Sequence, residues 1–196
     1  MATTLHIQLL GEFQLVTERG PLTTLKGDRQ QSLLAYLLLH RQAPQSRQHL
    51  AFSLWPDSSE TQARSNLRNL LHTLRQALPD PEQFLRSDTL TVQWRADAPF
   101  TLDVAAFQQA LANAQQAQEP TQRRYWLEAA LRLYTGELLP GNYDDWLMPV
   151  REELRRTHPP RHRQGLRRLF ALQIRDALKY LEKNIPDLQK MAVAYM

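Results

Sequence analysis

Residues Glu60–Leu78, ETQARSNLRNLLHTLRQAL, constrain the fold more than any other stretch of the chain. Ala63, Leu67, Leu70, Leu71, Leu74, Ala77 and Leu78 recur at steps of three and four, so on a helix they form one apolar stripe. At 100° per residue, Ser65, Asn69, His72 and Gln76 run along the centre of the opposite face, flanked by Arg64, Arg68 and Arg75. No acidic residue lies between Thr61 and Leu78. A buried leucine stripe behind neutral hydrogen-bonding groups and arginines suits the DNA major groove. There the neutral row meets base edges and the arginines meet phosphates. The plainer alternative is a solvated amphipathic helix, and the flanking segments weigh between the two.

Upstream, residues 5–16, LHIQLLGEFQLV, read as two short strands broken at Gly11, with a third strand near Leu22–Leu25 after the turn at Arg19-Gly20-Pro21. A first helix follows from Asp28 to His40, buried through Leu33, Leu34, Leu37 and Leu38. After a loop at 41–45, Ser46 is set to cap a second helix, Arg47–Leu54, which the Trp55-Pro56 pair ends. Asp57 and Glu60 give the third helix a start resembling a capping box. Downstream, FLRSDTLTVQW at 84–94 reads as a hairpin turning near Ser87-Asp88. Strands, three helices and a hairpin are the order of a winged helix, in which the third helix is the recognition helix.

After Asp97 the composition shifts to Ala, Leu and Gln, and helices are expected at 103–118, 121–135 and 146–156. Paired helices of this size resemble a tetratricopeptide-type array, without a full repeat signature. Trp126, Tyr134, Tyr143 and Trp146 are expected to build the core of this part, and Asp144 and Asp145 to cap its last helix. Trp94 is expected to pack the hairpin on the helices, and Trp55 to anchor a loop. The predicted domains are 1–96, 97–156 and a basic helical tail at 157–196, amphipathic over Leu166–Leu181.

The net charge of +4 is uneven: +2 over residues 1–95, −4 over 96–150 and +6 over 151–196. The basic run Arg151–Arg168 is a candidate for nucleic-acid contact, with a solvated segment as its alternative. There is no cysteine, which excludes disulfides and cysteine zinc sites. His158 and His162 have ligand-like spacing, but Pro159-Pro160 breaks their shared helical face, so no metal is expected. Glycine-rich phosphate loops, nucleophile elbows and HExxH are missing from the sequence, so neither an enzyme nor a cofactor is expected. No apolar run approaches a membrane span and no signal peptide starts the chain, so an intracellular, soluble setting is expected.

LLGEFQL, LLAYLLLH, SRQHLAFSLWPDSSETQARSNLRNLLHTLRQALPD and LDVAAF together resemble one family, the antibiotic-regulatory-type bacterial activators. These pair an OmpR-type winged helix with a bacterial transcriptional activation domain. The most specific match is LYTGELLPGNYDDW, Leu133 to Trp146, and the resemblance covers roughly residues 5–156. It implies an α+β fold, with an OmpR-type winged helix-turn-helix followed by an all-α, tetratricopeptide-like helical domain. That second domain is expected to be partial, since the pattern loses register after about Arg156.

The resemblance also implies a transcriptional regulator of the bacterial cytoplasm, associated with the nucleoid, that lays a recognition helix at 58–78 in the major groove and a wing at 84–95 beside it. The phosphate-binding candidates are Arg47, Arg64, Arg68, Arg75 and Arg86, with Arg41 weaker, and the base-reading candidates are Ser65, Asn69, His72 and Gln76. Trp55, Pro56, Asp57, Ser58 and Ser59 correspond to the loop that faces RNA polymerase. Implied partners are double-stranded promoter DNA with direct repeats, RNA polymerase and a second copy of the chain. Two other readings stay open. In one the winged helix contacts an acidic protein partner, and in the other the chain is a non-catalytic piece of a larger signalling regulator.

Overall fold

A computed structural model of the chain describes residues 3–25 and 27–157. The basic tail, the pair His158 and His162 and the segment Leu166–Leu181 lie outside the described residues.

The chain opens with β1 (Leu5–Gln8), β2 (Gln14–Thr17) and β3 (Gly20–Pro21), joined as an antiparallel meander. β1 and β2 alternate buried Leu5, Ile7, Leu15 and Thr17 with more exposed neighbours, the period-two pattern of a sheet with one covered face. The third strand is this two-residue pair and not Leu22–Leu25. Leu25 is buried in the core instead of laddered, and Leu22 donates its amide to Leu15 O at 2.7 Å just past the strand.

Helices α1 (Asp28–Leu39), α2 (Arg47–Leu54) and α3 (Glu60–Ala77) follow. Ser46 caps α2 as expected, its Oγ accepting from His49 N at 3.3 Å. The cap of α3 is Ser59, whose Oγ accepts from Gln62 N at 3.4 Å. This displaces the expected start at Asp57, because Ser59 stands immediately before the first helical residue, where its hydroxyl reaches the third amide. Residues at positions 33–38 of α1 and Ala63, Leu67, Leu71 and Leu74 of α3 are buried together with Leu50, Ala51 and Leu54 of α2.

After α3 comes a single-turn α4 (Pro81–Phe84), absent from the sequence expectation, entered through Asp80 in the left-handed region at φ 55°. Then β5 (Leu85–Ser87) and β6 (Thr91–Trp94) form the hairpin. β6 also pairs with a two-residue strand β4 (Gln45–Ser46), so part of the expected 41–45 loop is the third strand of this sheet. Trp94 is fully buried, with Phe84 and Phe100 rings 5.5 and 5.6 Å away, so it packs the hairpin down as expected.

β7 (Phe100–Leu102) returns to the first sheet and pairs in parallel with β1, giving the order β3-β2-β1-β7. α5 (Asp103–Gln116) and α6 (Pro120–Leu133) then form a helical hairpin, and α7 (Leu147–Thr157) ends the described chain. The result is an α+β fold with mixed and antiparallel sheets, consistent with a winged helix followed by a helical domain.

One apolar core runs through both parts. Backbone and side chains together build the join between them. Gly11 N donates to Glu137 O and Leu139 N to Leu9 O, both at 2.8 Å, and Leu10 bridges Leu138. Asp103 Oδ2 accepts from Leu9 N and Leu10 N at 2.9 and 2.7 Å. Arg151 is buried and donates to the carbonyls of Leu138, Leu139 and Asn142 at 2.9, 2.6 and 2.8 Å. The first residue of the basic run is therefore a structural clamp and no surface for nucleic acid.

The aromatic expectations divide. Trp126 and Tyr134 are half-buried, the Tyr134 ring 5.2 Å from Phe107. Trp146 leaves the helical part and packs edge-on against Tyr36 of α1 at 5.0 Å. Tyr143 is 84% exposed and builds no core; it lies in the turn before α7, where Asp144, Trp146 and Leu147 face inward instead. Asp144 and Asp145 cap α7 through their carbonyls, which accept from Leu147 N and Met148 N, and the Asp144 carboxylate is engaged elsewhere.

Candidate nucleic-acid interface

α3 turns its leucines inward and exposes Arg64, Arg68, Asn69, His72 and Gln76, with Ser65 and Arg75 half-buried at the margins. The four neutral candidates thus share the outer side of a helix whose inner side is fixed by Ala63, Leu67, Leu71 and Leu74. Among the described residues their side chains are short of intramolecular partners. The hydroxyl of Thr73 donates to Asn69 O, a backbone atom, and Gln62 Nε2 donates to Asn66 Oδ1 at 2.8 Å, one turn away from the candidate row.

The arginines are not equivalent. Arg64 Nη2 lies 2.5 Å from Glu60 Oε1, an i,i+4 pair in the first turn, with both side chains at least half exposed. Arg75 Nη2 stands 3.8 Å from Glu82 Oε1, a longer and looser pair. Arg68 alone of the three is exposed without an ion pair among the described residues. Exposed pairs of this kind contribute little to stability and exchange readily for a phosphate.

The hairpin presents Arg86 at an exposed position and Leu90, 75% exposed, at its tip. Its turn is fixed by Asp88. Asp88 Oδ1 accepts from Leu90 N and Thr91 N at 2.8 and 2.7 Å, and Oδ2 accepts from the Thr91 hydroxyl at 2.9 Å. These backbone hydrogen bonds, led by that from Thr91, hold the Asp88 carboxyl below its ordinary value. Arg47, at the first position of α2, donates from Nη1 to Asp88 O, and its amide donates to Leu90 O, both at 2.9 Å. Arg47 is thus half-buried against the wing turn, tying the start of α2 to the tip of the hairpin. The sequence pointed to Arg47 as a phosphate ligand and contained no sign of this second attachment, because Asp88 is 41 residues away. Arg41 is also engaged, donating to Leu38 O at 2.9 Å and lying 6.0 Å from the Phe100 ring.

The loop after α2 exposes Pro56, Asp57 and Ser59, while Trp55 and Ser58 are half-buried and joined by Ser58 N to Trp55 O at 3.2 Å. Among the described residues no cluster of three or more His, Cys, Asp or Glu side chains suits a metal, and no helix is long and apolar enough to cross a membrane.

No family model matches the chain, and no curated protein does. Among solved structures it is similar to Mycobacterium tuberculosis EmbR in complex with low affinity phosphopeptide, at 24% identity and a TM-score of 0.64. The likeness covers 78% of this chain and 42% of that one, so the chain spans less than half the length of its structural neighbour. At this identity the two have a fold in common, an α+β arrangement of mixed sheet and helices.

Proposed function

We propose that the chain is a non-enzymatic, sequence-specific DNA-binding transcriptional regulator of the antibiotic-regulatory kind. The observation that carries this reading is the outer face of α3. Asn69, His72 and Gln76 stand exposed, and among the described residues no group bonds their side chains and no acid pairs with the Arg68 beside them. Asparagine and glutamine match adenine edges through two hydrogen bonds, and arginine matches phosphate. A helix docked in the major groove satisfies all of these groups at once, and the wing with Arg86 then meets the adjacent backbone or minor groove. The fold in common with EmbR supports the same reading.

In this assignment residues 1–96 are the OmpR-type winged helix and 97–156 a tetratricopeptide-like interaction domain. Arg64, Arg68, Arg75 and Arg86 bind phosphates. Arg47 does so with the nitrogens left over from Asp88. Ser65, Asn69, His72 and Gln76 read bases. Residues 55–59 face RNA polymerase, the DNA carries direct repeats, and two copies of the chain associate through the helical part. The setting is the bacterial cytoplasm at the nucleoid.

The test is selection of the purified chain on random duplex libraries at two salt concentrations. A repeated motif that Arg64, Arg68 and Arg75 substitutions abolish is expected. With about five or six phosphates contacted, affinity falls with a log–log salt slope near −5. Binding no better than background at low salt removes the DNA reading and leaves a protein partner as the occupant of α3.

A further inference from the structure

Arg29 of α1 lies between two groups far apart in the sequence. Its Nη1 donates to Asp144 Oδ1 at 2.5 Å, across 115 residues. Its guanidinium carbon sits 5.9 Å from the centre of the Trp55 ring, within range of a cation–π contact. Asp144 belongs to the turn that precedes α7, and Trp55 opens the 55–59 loop.

The acid itself is firmly placed. Its second oxygen accepts from the Ser32 hydroxyl, and Ser32 Oγ in turn accepts from Trp146 Nε1 at 3.2 Å. Ser32 has no exposure, and the Asp144 side chain is 13% exposed, whereas Arg29 is 46% exposed. The carboxylate is therefore the fixed member and the guanidinium the adjustable one. A partly desolvated carboxylate orients a mobile arginine more strongly than an exposed one does, because its field is less screened by water. Asp144 is the ion-pair partner of Arg29 among the described residues, and an arginine side chain released from such a partner samples many rotamers.

We propose that Arg29 is a positioning bridge through which the segment Asn142–Trp146 fixes the conformation of the Trp55–Ser59 loop. Displacement of that segment, by a partner bound to the helical part, frees Arg29, loosens the Trp55 ring and remodels the loop. The bridge makes the loop respond to the state of a domain with which, among the described residues, it shares no backbone hydrogen bond. Its bearing on polymerase contact rests on the functional reading above, while the bridge itself does not.

The experiment uses the full chain labelled with 5-fluorotryptophan, reading the Trp55 fluorine signal and the exchange of the Ser58 amide, which bonds Trp55 O. Asp144→Asn keeps an acceptor for Ser32 and removes the charge that holds Arg29. It is expected to shift the Trp55 signal and to speed Ser58 exchange roughly five-fold, with the Trp94 signal unmoved as the measure of an intact fold. Arg29→Ala is expected to do the same, and the double variant no more than either. Thr135→Val, which removes the hydroxyl that donates to Leu10 O at the other end of the join, is expected to leave both readouts unchanged. The bridge is overturned if Asp144→Asn leaves the Trp55 signal and Ser58 exchange as they were, or if Thr135→Val moves them equally. Coupling observed in a chain that binds no DNA keeps the bridge and removes the regulator reading. DNA binding with an uncoupled loop does the reverse.

Discussion

Gly136 approaches Gly11 so closely that a Cβ on Gly136 would stand 2.9 Å from the Gly11 Cα. The contact is backbone against backbone, so no flexible side chain can yield. It joins the first β-turn to the GELLPG segment 125 residues later, where Leu10 bridges Leu138 and the Thr135 hydroxyl donates to Leu10 O. Two of the sequence's glycine-containing motifs thus meet each other.

Gly136→Ala is therefore expected to destabilise the chain by about 1–3 kcal/mol through overpacking. Gly11→Ala meets both a clash with Thr135 Oγ1 at 2.7 Å and a backbone at φ 81° that alanine resists. It is expected to cost at least as much. Urea unfolding followed by circular dichroism measures both. An unchanged midpoint for Gly136→Ala would show that the join is looser than described.

Arg151 is the second support of that join, and its three carbonyl partners have few substitutes in a buried turn. Arg151→Ala strands them and is expected to cost roughly 2–4 kcal/mol. Arg151→Lys is not expected to restore the loss, since one ammonium cannot reproduce a planar fork that spans Leu138, Leu139 and Asn142. The refolded fraction should bind DNA as the parent does. A selective loss of DNA affinity with unchanged stability would return Arg151 to the interface.

Asp103 gives the join a pH dependence. Burial pushes its carboxyl above the ordinary 3.8, against the lowering effect of hydrogen bonds from Leu10, Leu9 and Val104. The folded state then holds the proton more tightly than the unfolded one. The stabilisation from this group is fully present below 3.8 and is lost as pH rises through the raised value, after which it stays constant. Asp103→Asn removes the titration. The stability difference between parent and variant is expected to shrink in the parent's disfavour across that window and to be level above it. A difference that grows with pH there would mean that the hydrogen bonds outweigh burial.

Local chemistry made part of this fold legible. The leucine stripe of α3, the Ser46 cap of α2 and the hairpin at 84–94 depend on neighbours within one or two turns, and a sequence displays those directly. β4 and β7 were hidden because two or three residues have no periodicity of their own; they become strands only by pairing with β6 and β1. The α3 candidates were legible as an exposed row, since helical geometry alone sorts a face. The different states of Arg64, Arg68 and Arg75 were not, for Glu82 reaches Arg75 only after Asp80 reverses the chain. Arg29, Ser32, Asp144 and Trp146 carry no joint signal in sequence, because they meet through tertiary packing alone.

Arg68 and Asn69 are adjacent on α3, yet their substitutions should leave different signatures on DNA. Arg68 is an exposed cation with no internal partner among the described residues, so it is free to neutralise a phosphate. Arg68→Ala is expected to weaken every sequence alike and to flatten the log–log salt slope by about one. Asn69 is neutral, and among the described residues its side chain has no partner while its carbonyl is taken by Thr73. Asn69→Ala is expected to leave the salt slope alone and to relax preference at a single base position, by about 1–3 kcal/mol of discrimination. Neither change touches the buried stripe, so thermal stability should hold in both, and any loss can be assigned to the interface. A uniform loss for Asn69→Ala across sequences would reject base reading at that residue and move it to the backbone-contacting set.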